Sequence, residues 1–154
     1  MRRLAHFGLG RAGNRLAFPG VNPEPRGLHP HYTLICDDVR LELGNRFSLI
    51  GVFQNIVTAQ LPISLVKLAA ITYWHGEGKG SAQVRVLSPD RSEVIVISEP
   101  TPIELPAGGF THNMVLFVNV MLPTQGTYWV QTLLDSNVVG EVPFTVVLRQ
   151  PESV

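Results

Sequence analysis

Two adjacent acids, Asp37 and Asp38 in "ICDDVRLELGNRFSLIGVF" (Ile35 to Phe53), have the side chains best suited to chemistry. A carboxylate pair suggests a hard cation such as calcium, which needs several oxygen ligands drawn from different loops. Neighbouring residues of a strand point to opposite faces, so the pair cannot chelate one ion unless the strand bulges. Asp38, Arg40 and Glu42 alternate with Val39, Leu41 and Leu43, which describes a solvent face above an apolar one. Asp37 falls on the parity of Ile35 and Val39, where a bulge would re-aim it towards the sheet end. The acids are therefore expected to fix a structural corner. The competing reading is a metal-dependent hydrolase built from Asp37, Asp38 and either His75 or His112.

Other chemical signatures are weaker. His29 and His31 in "HPHY" give half of a metal pair, with no carboxylate at the spacing that would complete it. Cys36 has no neighbouring base and suits an inert core thiol. "HGEGKGSA" (His75 to Ala82) is glycine-rich, but Gly80 follows Lys79 where a phosphate loop needs Ser or Thr. A flexible hairpin loop is expected there. No catalytic, metal or cofactor constellation emerges, and none is predicted.

Aromatic residues offer a binding surface instead. "TYWHGEG" and "GTYWVQ" each hold Tyr-Trp, so one ring of each pair faces outward. Trp74, Trp129 and Tyr73 are candidates for a ligand or partner surface.

The elements that would carry these residues are strands. Twelve Pro and fourteen Gly punctuate short apolar runs through 154 residues. Strands are predicted at Tyr32–Glu42, Phe47–Val57, Ser64–His75, Ala82–Leu87, Glu93–Ser98, Asn113–Leu122, Thr127–Leu134 and Val138–Leu148. "NIVTAQLPISLVKLAAI" allows one short helical turn. Pro143 would suit an edge or bulged strand. "MVLFVNVML" (Met114 to Leu122) is apolar on both faces apart from Asn119, marking a central strand, or one whose outer face is covered by a loop or a second subunit. One-sided strands of this number predict an all-β, immunoglobulin-like two-sheet antiparallel sandwich of seven or eight strands, spanning residues 31–150.

Residues 1–30 form a separate basic, Pro- and Gly-rich segment, with five arginines against one acid. They are expected to be a poorly ordered tail and linker. The remainder carries seven bases against eleven acids, so nucleic acid is not an expected partner. No apolar stretch approaches membrane-span length, and the single cysteine excludes an internal disulfide. A cytoplasmic location is expected.

Two resemblances extend this reading. Gly126 and Tyr128 in "GTYWVQTLLDSNVVGEVPFTVV" resemble the tyrosine corner of immunoglobulin-like sandwiches, which implies a structural role for Tyr128. Val130 stands where antibody domains place a cysteine. Residues 32 to 148, with "ICDDVRLE", "SLIGVF" and "PFTVV" in order, resemble a family of small uncharacterised bacterial proteins. That resemblance implies a bacterial origin and a compact β fold, with no activity to carry over. The expected function is a non-enzymatic protein-interaction or structural module that binds a partner or its own copy. A small-ligand or carbohydrate-binding sandwich is the alternative.

Overall fold

Strand formation here follows from short runs of branched and aromatic residues that must hide one face each. The computed structural model describes residues 27–150 and Glu152. Eight strands follow one another: β1 (Leu28–Glu42), β2 (Arg46–Val52), β3 (Asn55–Thr58), β4 (Ile63–Leu87), β5 (Val94–Ile97), β6 (Thr101–Leu122), β7 (Gly126–Leu134) and β8 (Asn137–Leu148). The fold is an immunoglobulin-like two-layered β-sandwich. One layer runs β2-β1-β4-β6; the other runs from β5 and the start of β6 through β4, β7 and β8 to β3. All pairs are antiparallel except β3 with β8. That parallel pair arises because β3 crosses from the first layer to the second.

Strands β4 and β6 serve both layers. Their pairing register shifts between Gly76 and Gly78, and both glycines have positive φ, so the paired ribbon bends there. The expected loop at "HGEGKG" is therefore part of a continuous strand. Its glycines supply a bend that any side chain would resist: a Cβ on Gly76 would collide with the Gly27 carbonyl. The same close approach draws Leu28–His31 into β1, four residues before the predicted strand start at Tyr32. The rest of the expected tail, residues 1–26, lies outside the described residues. Phe47–Val57 splits into two strands in different layers, and among the described residues "NIVTAQLP" forms no helical turn.

The main core joins Ile35, Leu68, Ala70, Val115 and Phe117 of the first layer to Val84, Val86, Tyr128, Val130, Phe144 and Val146 of the second. A smaller core at the bend holds Trp74, Ala82, Ile103 and Leu105. Between them the hydroxyl of Thr33 meets those of Thr72 at 3.0 Å and Thr132 at 3.1 Å, so buried polar groups bridge the layers fully paired. Pro143 lies on β8 opposite Trp129, at a point before β3 begins to pair from Thr145 onward. Its missing N–H therefore costs no ladder bond there.

Candidate functional site

The outer face of the β2-β1-β4-β6 layer holds the densest cluster of exposed rings. Register places Tyr32 on β1, Tyr73 on β4 and His112 on β6 side by side. Tyr32 stacks on Tyr73 with centroids 5.3 Å apart, and Tyr73 lies 4.9 Å from His112. The Tyr32 hydroxyl is 3.2 Å from His112 Nε2. His31 approaches Tyr73 edge-on and Phe110 flanks it at 6.0 Å.

A fourth element reaches this cluster by an indirect route. Phe47 pairs with Leu41, nine residues beyond Tyr32 on β1. On a straight strand that distance would be about 30 Å, yet the Phe47 ring lies 5.8 Å from His112. The β1–β2 hairpin must fold back across the outer face. It thereby covers Cys36, Ala69 and Ile71, which are buried although they lie on the outward parity of their strands.

The fold-back is centred on Asp37 and Asp38. Gly51, opposite Asp37, has φ 66°, and a Cβ there would collide with the Asp37 carboxylate. Asp38 accepts from the Val39 N–H at 3.0 Å and from Lys67 Nζ at 2.9 Å. The lysine holds the Asp38 carboxyl below the usual carboxylate range. Burial, reinforced by the Asp37 charge, pushes the Cys36 thiol up, which opposes a nucleophilic role.

Between hairpin and sheet lies a groove of about 440 Å³. Tyr32, Leu34, Ile71 and His112 form its floor, and Asn45, Arg46, Phe47 and Leu49 its roof. Beyond the hairpin the apolar face continues along β6, where Phe110, Met114, Leu116 and Val118 are exposed. The described part of β6 has no strand on its far side over this stretch. The central-strand option for Met114–Leu122 is thus corrected: the segment is a sheet edge, and its second apolar face is open. Asn119, the one polar break, sits at φ 53°, a left-handed conformation that asparagine tolerates.

Other candidate residues are dispersed. His75 sits opposite His29, eight strand positions from Asp37, which corresponds to about 27 Å. The two imidazoles meet each other at 3.3 Å. Asp37, Asp38, His75 and His112 do not converge, and no group of three potential metal ligands occurs among the described residues. Trp74 is corrected as a surface residue: it is fully buried, because its parity on β4 points into the bend core. Trp129 is half-buried under the Arg91 guanidinium, 4.1 Å above its ring. Of the three aromatic candidates only Tyr73 belongs to the open cluster. Tyr128 closes a corner, donating to the Thr124 carbonyl at 2.8 Å and accepting from the Thr124 N–H at 3.2 Å.

Tyr32, Phe47 and Phe110 were not singled out by sequence. Phe110 lies outside the predicted strand Asn113–Leu122, and only the cross-strand register and the folded hairpin unite the three.

Solved structures with related backbones are distant in sequence. An alkylpurine DNA glycosylase from Pseudomonas fluorescens, bound to DNA with an abasic site analogue, superposes with a TM-score of 0.52 at 9% identity, covering 79% of this chain and 31% of that one. A β-glucosidase from Erythrobacter marinus gives 0.49 at 12% identity over 79% of this chain and 15% of its own. An immunoglobulin-like protein from Pseudomonas aeruginosa gives 0.40 at 12% identity, covering 78% and 96% of the two chains. The chain thus spans about a third or less of the glycosylase and glucosidase. The glycosylase likeness, at a TM-score of 0.52, concerns fold alone. No curated protein matches the sequence. No helix among the described residues is long and apolar enough to cross a membrane. A family model does match residues 31–147, and the chain belongs to that family of unknown function, DUF6941.

Proposed function

We propose that this chain is a non-enzymatic protein-interaction module whose working surface is the outer face of the β2-β1-β4-β6 layer. One observation carries the reading. Tyr32, Leu34, Phe110, Met114, Leu116 and Val118 are all at least 38% exposed on one sheet face, contiguous with Tyr73 and His112. Contiguous apolar patches with aromatic anchors and a polar rim are typical of docking surfaces. The dispersal of ionisable groups supports a binding role over turnover. Among the described residues the face carries no cluster of basic side chains, which disfavours nucleic acid as the partner. One buried, unpaired thiol is compatible with a reducing, cytoplasmic setting.

Site-specific photo-crosslinking tests the reading. A benzophenone side chain at Phe110 or Met114 should give a discrete protein adduct in cells. The same group at Val94, an exposed residue on the other layer, should not. Equal labelling from all three positions, or none, would refute it.

A second reading rests on the groove beneath the hairpin. Its volume falls within the range of small-molecule sites, about 300–1,000 Å³, and tyrosine and phenylalanine line it. The alternative of a small-ligand or carbohydrate site belongs there rather than at the tryptophans. Titrating a panel of glycans and aromatic acids against wild type and Phe47→Ala distinguishes it: binding must weaken in the variant.

A further inference from the structure

We infer that the open edge of β6 pairs with the same edge of a second copy, antiparallel about a two-fold axis, joining two first layers into one continuous sheet. This rests on the docking reading above and names its partner.

An exposed edge invites pairing, and natural sheets protect theirs with charge, proline, kinks or brevity. Strand β2 carries Arg46 and is kinked at Gly51. Strands β3 and β5 have four residues each. The first part of β6 carries Pro102, Glu104 and Pro106. From Phe110 to Val118 the same strand has no proline, no acid, no lysine or arginine and no left-handed residue, with His112 as its one titratable side chain. One edge lacks every protective device that the others have.

Self-pairing suits this edge for three reasons. A strand without acids, lysines or arginines meets its own copy without like-charge repulsion from such groups, and the pairing sets His112 opposite Leu116 rather than opposite itself. Its regular stretch, Phe110 to Val118, is bounded by Gly109 and by left-handed Asn119, so its midpoint is Met114. With the axis there, Met114 faces its own copy, Phe110 faces Val118 and His112 faces Leu116, all on the outer face. Pairing also satisfies the outward N–H and C=O groups of β6, which no strand among the described residues pairs over this stretch.

Nine residues give an edge about 30 Å long and about 10 Å deep, about 300 Å², and burying the Phe110 side chain adds about 150–250 Å², for about 500 Å² per copy. The total, about 1,000 Å², lies at the low end of specific interfaces and implies a concentration-dependent dimer.

Sedimentation velocity of the full chain, from micromolar to millimolar, is the test. Wild type should shift from monomer to dimer. Met114→Lys and Met114→Glu should each stay monomeric, an equimolar mixture of the two should dimerise again, and Val57→Lys, altered on β3, should behave as wild type. Hydrogen exchange on wild type needs no variant: alternate amides between Phe110 and Val118 should gain protection as concentration rises. A strictly monomeric wild type, or dimers persisting in both charged variants, would overturn the inference. A monomer whose Phe110 photoprobe still captures a different protein would leave the docking reading standing and remove only the self-pairing.

Discussion

Asp38 and Lys67, twenty-nine residues apart in sequence, meet at 2.9 Å where β1 leaves its sheet and the hairpin turns over the outer face. The pair joins the hairpin base to β4, so its loss should loosen the hairpin more than the sandwich. Asp38→Asn is expected to speed hydrogen exchange at Val39–Ile50 while leaving the melting temperature nearly unchanged. Both side chains are partly exposed, and such pairs contribute little to global stability. The sign with pH follows from the lowered Asp38 pKa. Its tethering is complete above the ordinary carboxylate range and is lost as pH falls through the depressed value. Protection factors at Val39–Ile50, taken relative to intrinsic exchange at each pH, that stay constant in wild type as pH falls through that range would contradict this.

Gly51 should tolerate no side chain while Asp37 stays in place. Its φ of 66° costs an L-residue about 1–2 kcal/mol, and the new Cβ would also strike the Asp37 carboxylate. Gly51→Ala should therefore lower denaturant-midpoint stability by more than the conformational cost alone. Adding Asp37→Ala should recover the steric part and leave the backbone part. A double-mutant cycle reads the difference, and strict additivity would show that the two residues do not collide.

The Tyr128 corner predicts a second stability loss. Tyr128 is fully buried and its hydroxyl makes two bonds to the Thr124 backbone. Tyr128→Phe keeps the ring stacked on Phe144, 5.4 Å away, and removes only those bonds. The expected cost is about 1–3 kcal/mol by urea denaturation, with an unchanged m-value. A neutral substitution would mean that water replaces the hydroxyl without penalty.

Most strands were legible because alternation and turn residues are local signals: Phe144 and Val146 are buried on the face that period two assigns them. The failures share a different physical origin. Gly76 and Gly78 look like loop residues in isolation, and only pairing with β6 shows that they bend a continuous strand. The outward aromatics depend on register and on the folded hairpin, both set by contacts between residues up to 80 positions apart, as Tyr32 and His112 are. Trp74 illustrates the limit: its neighbour Tyr73 is outward, and parity alone cannot say which of the two is buried.

The turn between β4 and β5 should set part of the acid response. Asp90 accepts from the Ser88 hydroxyl at 2.7 Å, the Ser92 N–H at 3.0 Å and the Ser92 hydroxyl at 2.7 Å. These bonds, that of Ser88 foremost, hold its carboxyl at about 2 against an ordinary value of 3.8. Glu141 is likewise lowered, by Arg91 first and then Gln131. Both groups release protons more readily when folded, so their stabilisation is present above the ordinary carboxylate range. It declines as pH falls from about 4 towards 2. Thermal melts across that interval should show a flatter dependence in Asp90→Asn with Glu141→Gln than in wild type, the two curves converging at the acid end. Parallel curves would assign the acid sensitivity to other carboxylates, leaving the serine-capped turn with no share in it.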